Sequence, residues 1–211
     1  MKGMYPTLAF DQQYPAPVVG LDEVGYGAWA GPVVTAAVWI SDNDQMFPFE
    51  GIVRDSKQLS PRQRAHLYGQ LTKCTGLHWA IGSASADEID AINVRQATLL
   101  AMTRALNQLM QNPLLPNQGT LLVDGTLPLS YPPWQSHGVV KGDNISFHIA
   151  AASILAKVYR DTLMQELHEE FPTYGWNTNV GYGTKVHQEG LRCHGPSSCH
   201  RKSYAPIAKF F

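Results

Sequence analysis

Short unbroken apolar runs alternate with helical-period stretches along this chain. The run VVGL at 18–21 passes into Asp22 and Glu23 and then into a turn holding Gly25 and Gly27, the pattern of a buried strand entering a tight turn. Pro32–Ile40 (PVVTAAVWI) predicts a second strand, close enough in sequence to pair antiparallel with the first, and Leu77–Ser85 predicts a third. Ser60-Pro61 marks a helix start, serine as N-cap and proline at the first helical position, for a helix through Leu71. Ser85 to Glu88 starts a second capped segment containing Ile89 and Ile92. From Val94 to Met110 the apolar residues Ala97, Leu100, Ala101, Ala105, Leu106 and Leu109 form one stripe, ended by Pro113 and Pro116. Ser41–Val53 has no period and predicts a loop. A long helix begins at Ser146; its alanine-rich first half is suited to burial against the sheet, and its second half is amphipathic. Beyond Pro172 an aromatic and glycine loop leads to a short helix near Val186 to Arg192.

The polar residues that interrupt this pattern fall at related places. Thr120–Val123 delivers Asp124 and then Gly125, and Val139-Val140 runs into Lys141-Gly142-Asp143. With Asp22-Glu23 these make three apolar runs each followed by an acid and a glycine, as expected if strand ends converge on one polar site at a sheet edge. Adjacent acids at buried strand ends are costly without a partner. Carboxylates with no matching set of cysteine or histidine favour hard cations, Mg2+ or Mn2+. Asp22, Glu23, Asp124 and Asp143 would suit two such ions roughly 4 Å apart, the arrangement that serves in-line displacement at phosphorus. The residues alone leave capping or surface acids as the other reading.

Composition bounds the rest. The chain has 211 residues, 44% hydrophobic and 16% charged, enough for one sizeable core and little room for a second domain. A net charge of −1 means that a polyanion would have to be held by a local patch or through metal ions. No window reads as a membrane span or signal peptide. Cys74, Cys193 and Cys199 leave at least one thiol unpaired, which fits a reducing, cytoplasmic compartment. Cys193 and Cys199 with His187, His194 and His200 match no standard zinc spacing.

Several of these pieces together resemble bacterial ribonuclease HII: Gly20–Val38, Asp55-Ser56-Lys57 with Leu59-Ser60, Val123-Asp124-Gly125, Lys141-Gly142-Asp143, the run IAAASILAKVYRD ending at Asp161, and GYGT at Gly181–Thr184. Their order and approximate spacing match from about Val18 to about Ile207. The resemblance implies an α/β, ribonuclease H-like mixed five-stranded sheet flanked by helices, with a C-terminal helical extension. It implies a single, monomeric catalytic domain over 1–211, with a lead-in over 1–17 and a substrate-contacting region over 172–211. It further implies hydrolysis of RNA in RNA-DNA hybrids and incision 5′ of ribonucleotides embedded in duplex DNA, leaving 3′-hydroxyl and 5′-phosphate ends. The catalytic and metal-binding set is then Asp22, Glu23, Asp124 and Asp143 with two Mg2+ or Mn2+ ions.

For substrate, the resemblance assigns the turn Gly25, Tyr26 and Gly27, whose backbone would read a 2′-hydroxyl, and Tyr182, which would stack on the sugar after the junction. Ser56, Lys57 and Lys157 are suited to phosphate contact, although any one of them taken alone reads better as a solvated surface residue; Asp161 could hold Lys157 or Arg160 in place or be an ordinary helical partner of Lys157. Two positions depart from the family: Tyr26 stands where an arginine is usual, and Val180 where a lysine is common. Both remove positive charge, which points to impaired single-ribonucleotide recognition or to compensation by Lys141, Lys185 and Arg201. A weakly active hybrid-binding module is the alternative from another class. Ile207, Phe210 and Phe211 faintly resemble a sliding-clamp peptide, but Tyr204 replaces its leading glutamine, and packing of these aromatics on the last helix is the expectation.

Overall fold

The computed structural model describes residues 5–41, 51–126 and 129–211, so most of the expected loop after Ser41 lies outside the described residues. The chain forms α1 (Leu8–Asp11), β1 (Val18–Val24), β2 (Val33–Ile40), α2 (Pro61–Leu71), β3 (Leu77–Ala84) and α3 (Ala86–Leu109). Then follow β4 (Thr120–Asp124), β5 (Gln135–Val139), α4 (Phe147–Glu170), α5 (Trp176–Asn179), α6 (Lys185–His194) and α7 (Ala205–Ala208). The strands make one mixed sheet in the order β3-β2-β1-β4-β5, antiparallel from β3 to β1 and parallel from β1 to β5. This is the five-stranded mixed sheet flanked by helices that the resemblance implies.

Alternation along the strands decides which helix each face receives. Val19 and Leu21 share a cluster with Ala37, Trp39, Met102 and Leu106 on the α3 side, while Ala36, Val38 and Ile40 pack with the alanines of α4. Two glycines let the helices come close. A Cβ on Gly20 would lie 2.4 Å from the backbone carbon of His148 in α4, and one on Gly82 2.0 Å from the Ala101 carbonyl oxygen in α3.

Helix ends follow the sequence signals. Ser60 and Ser85 each make a full capping box, with Gln63 and Glu88. The two helical segments predicted either side of Asn93 are observed as one element kinked there, Asn93 lying at φ 65° with its side chain accepting from the Gln96 amide. The lead-in is more than a lead-in. Asp11 is buried and accepts from the Phe147 and His148 amides, the Ser146 hydroxyl and His148 Nδ1, so it closes the start of α4 from a segment remote in sequence. Among the described residues no helix is long and apolar enough to cross a membrane.

Because α4 lies against β1 at Gly20, a single added methyl there must move one of them. Gly20→Ala is expected to cost about 3 kcal/mol, lowering the thermal midpoint by about 9 °C; an unchanged midpoint in a thermal melt would refute the close packing.

Candidate active site

Parallel pairing of β1 and β4 sets Leu21 beside Val123, and therefore carries Asp22 and Asp124 out of the sheet side by side. Asp143 arrives differently from expectation. β5 stops at Val139; Lys141 takes a left-handed conformation (φ 55°, ψ 42°) and Gly142–Asn144 forms a 3-10 turn that leads into α4. Asp143 thus sits on that turn and not at a strand end. The Gly142 amide donates to Asp124 at 2.7 Å, tying the turn to the strand. Asp22, Asp124 and Asp143 each offer an oxygen within 4.8 Å of the others.

Glu23 stands apart from this group, since alternation along β1 turns it from the face of Asp22. It remains in the same field. Burial first, and then the Asp124 charge, push its carboxyl up to about 7, while Lys57 pulls the other way. Burial and then Glu23, Asp124 and Asp143 hold Asp22 well above the usual carboxylate range. Asp143 is raised to about 6 by burial and then by Asp124 and Asp55. One buried oxygen of Glu23 has no hydrogen-bond partner among the described residues. Repelling, dehydrated carboxylates with an unused oxygen are what a divalent cation with oxygen ligands would relieve, so the donor set fits Mg2+ or Mn2+.

Lys57 lies in the same field. Burial draws its ammonium down, but the charges of Asp22, Asp55, Asp143 and Asp124 outweigh this and raise it. The segment is anchored by the Ser56 amide donating to Ser153 on α4 at 3.0 Å. Ser56 itself is buried, contrary to a solvated surface position. Lys157 pairs with Asp161 at 2.7 Å, the ordinary helical partnership.

The Gly25–Gly27 turn sits above two buried arginines. Arg201 donates to the carbonyls of Gly25 (2.7 Å), Tyr26 (2.8 Å) and Gly31 (3.0 Å), and Arg160 to those of Pro32, Ala30 and Val180. Burial and then the neighbouring Arg201 pull Arg160 down to about 10, still charged at neutral pH. Gly25 has φ 88°, and a Cβ there would lie 2.2 Å from Arg160 Nε, so the turn requires glycine twice over. The Gly25 and Tyr26 carbonyls are directed at Arg201, and the amides of the same peptide groups, on Tyr26 and Gly27, make no hydrogen bond among the described residues. Tyr26 is 40% exposed. Arg201, expected as a surface charge for substrate, is buried instead and acts on the turn from beneath.

Tyr182 joins this surface: its Cε1 would lie 4.0 Å from a Cβ on Gly27, and the side chain is 40% exposed. Its loop is fixed by the Trp29 amide donating to the Gly181 carbonyl at 2.8 Å and by Arg160 on Val180. The histidines and cysteines of the C-terminal region do not converge: His187 and His200 face each other, Cys193 donates to Glu189, and His194 is exposed. All three cysteines are free. Ile207 is buried beside Trp176 and Leu191, but Phe211 is 73% exposed, so the terminal aromatics do not pack as expected. Sequence reading missed Asp11 and the depth of Arg160, whose partners are all backbone carbonyls and leave no side-chain pattern to find.

The raised carboxyls set a pH dependence. Between the unfolded values near 4 and the folded values of about 7 for Glu23 and about 6 for Asp143, the folded chain binds more protons, so stability falls as pH rises. In EDTA the thermal midpoint is expected to fall from about pH 5 to about pH 8, and Mg2+ or Mn2+ at the upper end to restore it. Asp124→Asn flattens the profile. A midpoint that neither falls with pH nor responds to the ions would contradict this account.

Comparison with known proteins places this geometry. The family model described as Ribonuclease HII matches residues 19–207. A ribonuclease HII of Synechococcus sp. (strain JA-3-3Ab) is 49% identical over 98% of this chain and 91% of its own length. Among solved structures, the ribonuclease H2 of Pyrococcus horikoshii OT3 superposes with a TM-score of 0.74 at 26% identity, covering 92% of this chain and 96% of that one. The structure of the PCNA:RNase HII complex from Archaeoglobus fulgidus gives 0.70 at 25% identity, covering 89% and 94%. With the match running from β1 to α7, the chain belongs to the ribonuclease HII family and is a ribonuclease H-type endonuclease.

Proposed function

We propose that this protein hydrolyses the RNA of RNA-DNA hybrids and incises 5′ of ribonucleotides embedded in duplex DNA, leaving 3′-hydroxyl and 5′-phosphate ends. The observation that carries the reading is the convergence of Asp22, Asp124 and Asp143 within 4.8 Å beside the raised carboxyl of Glu23. These four residues would hold two Mg2+ or Mn2+ ions. Such ions, when bound, supply a water acidic enough to attack at neutral pH and positive charge for the departing oxygen.

The chain's own groups do the rest. Lys57 directs an ammonium toward the site, where it meets a phosphate oxygen. The Tyr26 and Gly27 amides, which make no hydrogen bond among the described residues, would take a hydroxyl or phosphate oxygen, and the Tyr182 ring beside Gly27 offers a flat apolar face to a sugar. Gly25 lets the turn rest on Arg160. Lys157, with its charge committed to Asp161, is the weakest of the proposed phosphate contacts. Tyr26 gives no cation at a position where the family commonly has one, which favours reduced efficiency on single ribonucleotides. The raised carboxyls speak against an inactive hybrid-binding module, because a binding surface without ions has no use for clustered acids that repel. Exposed Phe210 and Phe211, with likeness to a ribonuclease HII solved in complex with PCNA, support a sliding-clamp contact at the C-terminal end. Removal of ribonucleotides from DNA in the cytoplasm is the role that fits this chemistry.

Cleavage-site mapping on duplex DNA with one ribonucleotide is the direct test. One incision 5′ of the ribonucleotide is expected with Mg2+ or Mn2+ and none in EDTA, and Asp124→Asn should slow it by about 10³-fold or more. Cutting elsewhere, or full activity in the variant, would sink the reading.

Tyr26→Arg separates the effect of the missing charge. Tighter binding of the single-ribonucleotide duplex is expected, with the log–log salt slope steeper by about 0.9; an unchanged slope and rate would show that the tyrosine costs nothing.

A further inference from the structure

Behind Tyr182 lies a pair of histidines that the proposed chemistry leaves unused. His187 and His200 are fully buried, with their Nε2 atoms 2.9 Å apart. Two facing imidazole nitrogens at this distance need one proton between them, and the surroundings decide which ring supplies it.

A backbone amide can only donate, and that of Ser197 donates to His200 Nδ1 at 2.9 Å, with the Ser197 hydroxyl at 3.0 Å from the same atom. His200 Nδ1 is therefore bare, and the neutral ring carries its proton on Nε2. That proton points at His187 Nε2, which also receives the Trp176 indole N–H at 3.4 Å. His187 then carries its own proton on Nδ1, 3.0 Å from the Tyr182 carbonyl, a group that can only accept. One order of protons, running from Ser197 to Tyr182, satisfies every contact. A second proton on either ring would set N–H against N–H. The environment keeps the pair neutral: burial first, then the His187 charge, depress His200 to about 4, and burial depresses His187.

The far end of this relay bears on Tyr182 alone. The carbonyl that accepts from His187 also accepts from the Thr184 amide at 2.8 Å, and the Tyr182 amide donates to the Asn179 carbonyl at 2.9 Å. Both peptide groups of residue 182 are therefore fixed. Its ring, by contrast, stays exposed beside the Gly27 turn.

We propose that His187 and His200 are positioning residues for substrate recognition, their single proton order setting the backbone of Tyr182 so that its ring meets the sugar beside the Gly25–Gly27 turn. This rests on the reading of Tyr182 as the sugar platform. Neither histidine touches substrate.

The test compares His187→Leu, His187→Asn and Tyr182→Ala in steady-state cleavage of the single-ribonucleotide duplex, using full-length protein. His187→Leu removes the donor, and is expected to raise KM about fivefold to tenfold with kcat within about twofold. His187→Asn keeps an N–H where Nδ1 stood, and should return KM to within about twofold of wild type. A merely structural role would lower the melting point of both variants and move KM in neither. If Tyr182→Ala raises KM while folded His187→Leu leaves it unchanged, the positioning role is wrong and the platform stands. If Tyr182→Ala itself leaves KM unchanged, the platform reading falls and takes the positioning role with it. Should His187→Leu fail to fold, 15N imidazole spectra of the wild type at neutral pH decide: a proton on His200 Nε2 and on His187 Nδ1 supports the relay, and the reverse order or a charged ring overturns it.

Discussion

Like charges brought close together in a poorly hydrated place are the constraint around which this protein is built. Asp22 and Asp124 leave adjacent parallel strands together because the register gives them no alternative, and Asp143 is added by a turn locked to Asp124 through the Gly142 amide. Left to themselves these groups would spread apart or take up protons, as the raised carboxyls of Asp22, Glu23 and Asp143 record. What resists spreading is packing elsewhere: α4 pressed against β1 at Gly20, its start closed by Asp11, and β1 buried between two helical layers. The stable part of the fold thereby holds an arrangement that is unstable taken alone, a common relation between scaffold and reactive centre.

The substrate side obeys a different rule. A chain with net charge −1 cannot attract a polyanion globally, and the exposed position in the glycine turn is a tyrosine. Positive charge is instead placed under the surface. Arg160 and Arg201 spend their donors on six backbone carbonyls around residues 25–32 and Val180, and where Arg201 holds the Gly25 and Tyr26 carbonyls the amides of those peptide groups, on Tyr26 and Gly27, point away from it. Oriented peptide dipoles near buried cations carry a favourable potential for anions without a mobile side chain.

How much of this could be read from the sequence depended on whether a residue signals through its neighbours in the chain or only through space. Strands β1 to β4, the serine caps at Ser60 and Ser85 and the alanine-rich face of α4 follow periodicity and local chemistry, and the sequence is enough for them, whereas β5, polar and largely exposed, carries no such signal. The acids drew notice because each follows an apolar run, although Asp143 reaches the site by a turn forced at Lys141 and not by a strand. Asp11, Arg160, Arg201 and the His187–His200 pair act on partners far along the chain or on backbone atoms common to every residue. No periodicity or spacing encodes such contacts, and Arg201 looked like a surface charge for that reason. Ser56 is alike: it is buried, with its amide on Ser153 nearly a hundred positions away.

The two buried arginines also impose an order on assembly. All four acids precede residue 144, whereas the carbonyls of Gly25 and Tyr26 wait for Arg201, contacts that span 176 and 175 positions. As the chain is synthesised, β1, β4 and the turn to α4 can meet before the segment carrying Arg201 exists. The glycine turn gains its backbone geometry only when that late segment docks. Closing such distant contacts is slow relative to local ones, so the acids come together early and the turn beside them takes its final form last.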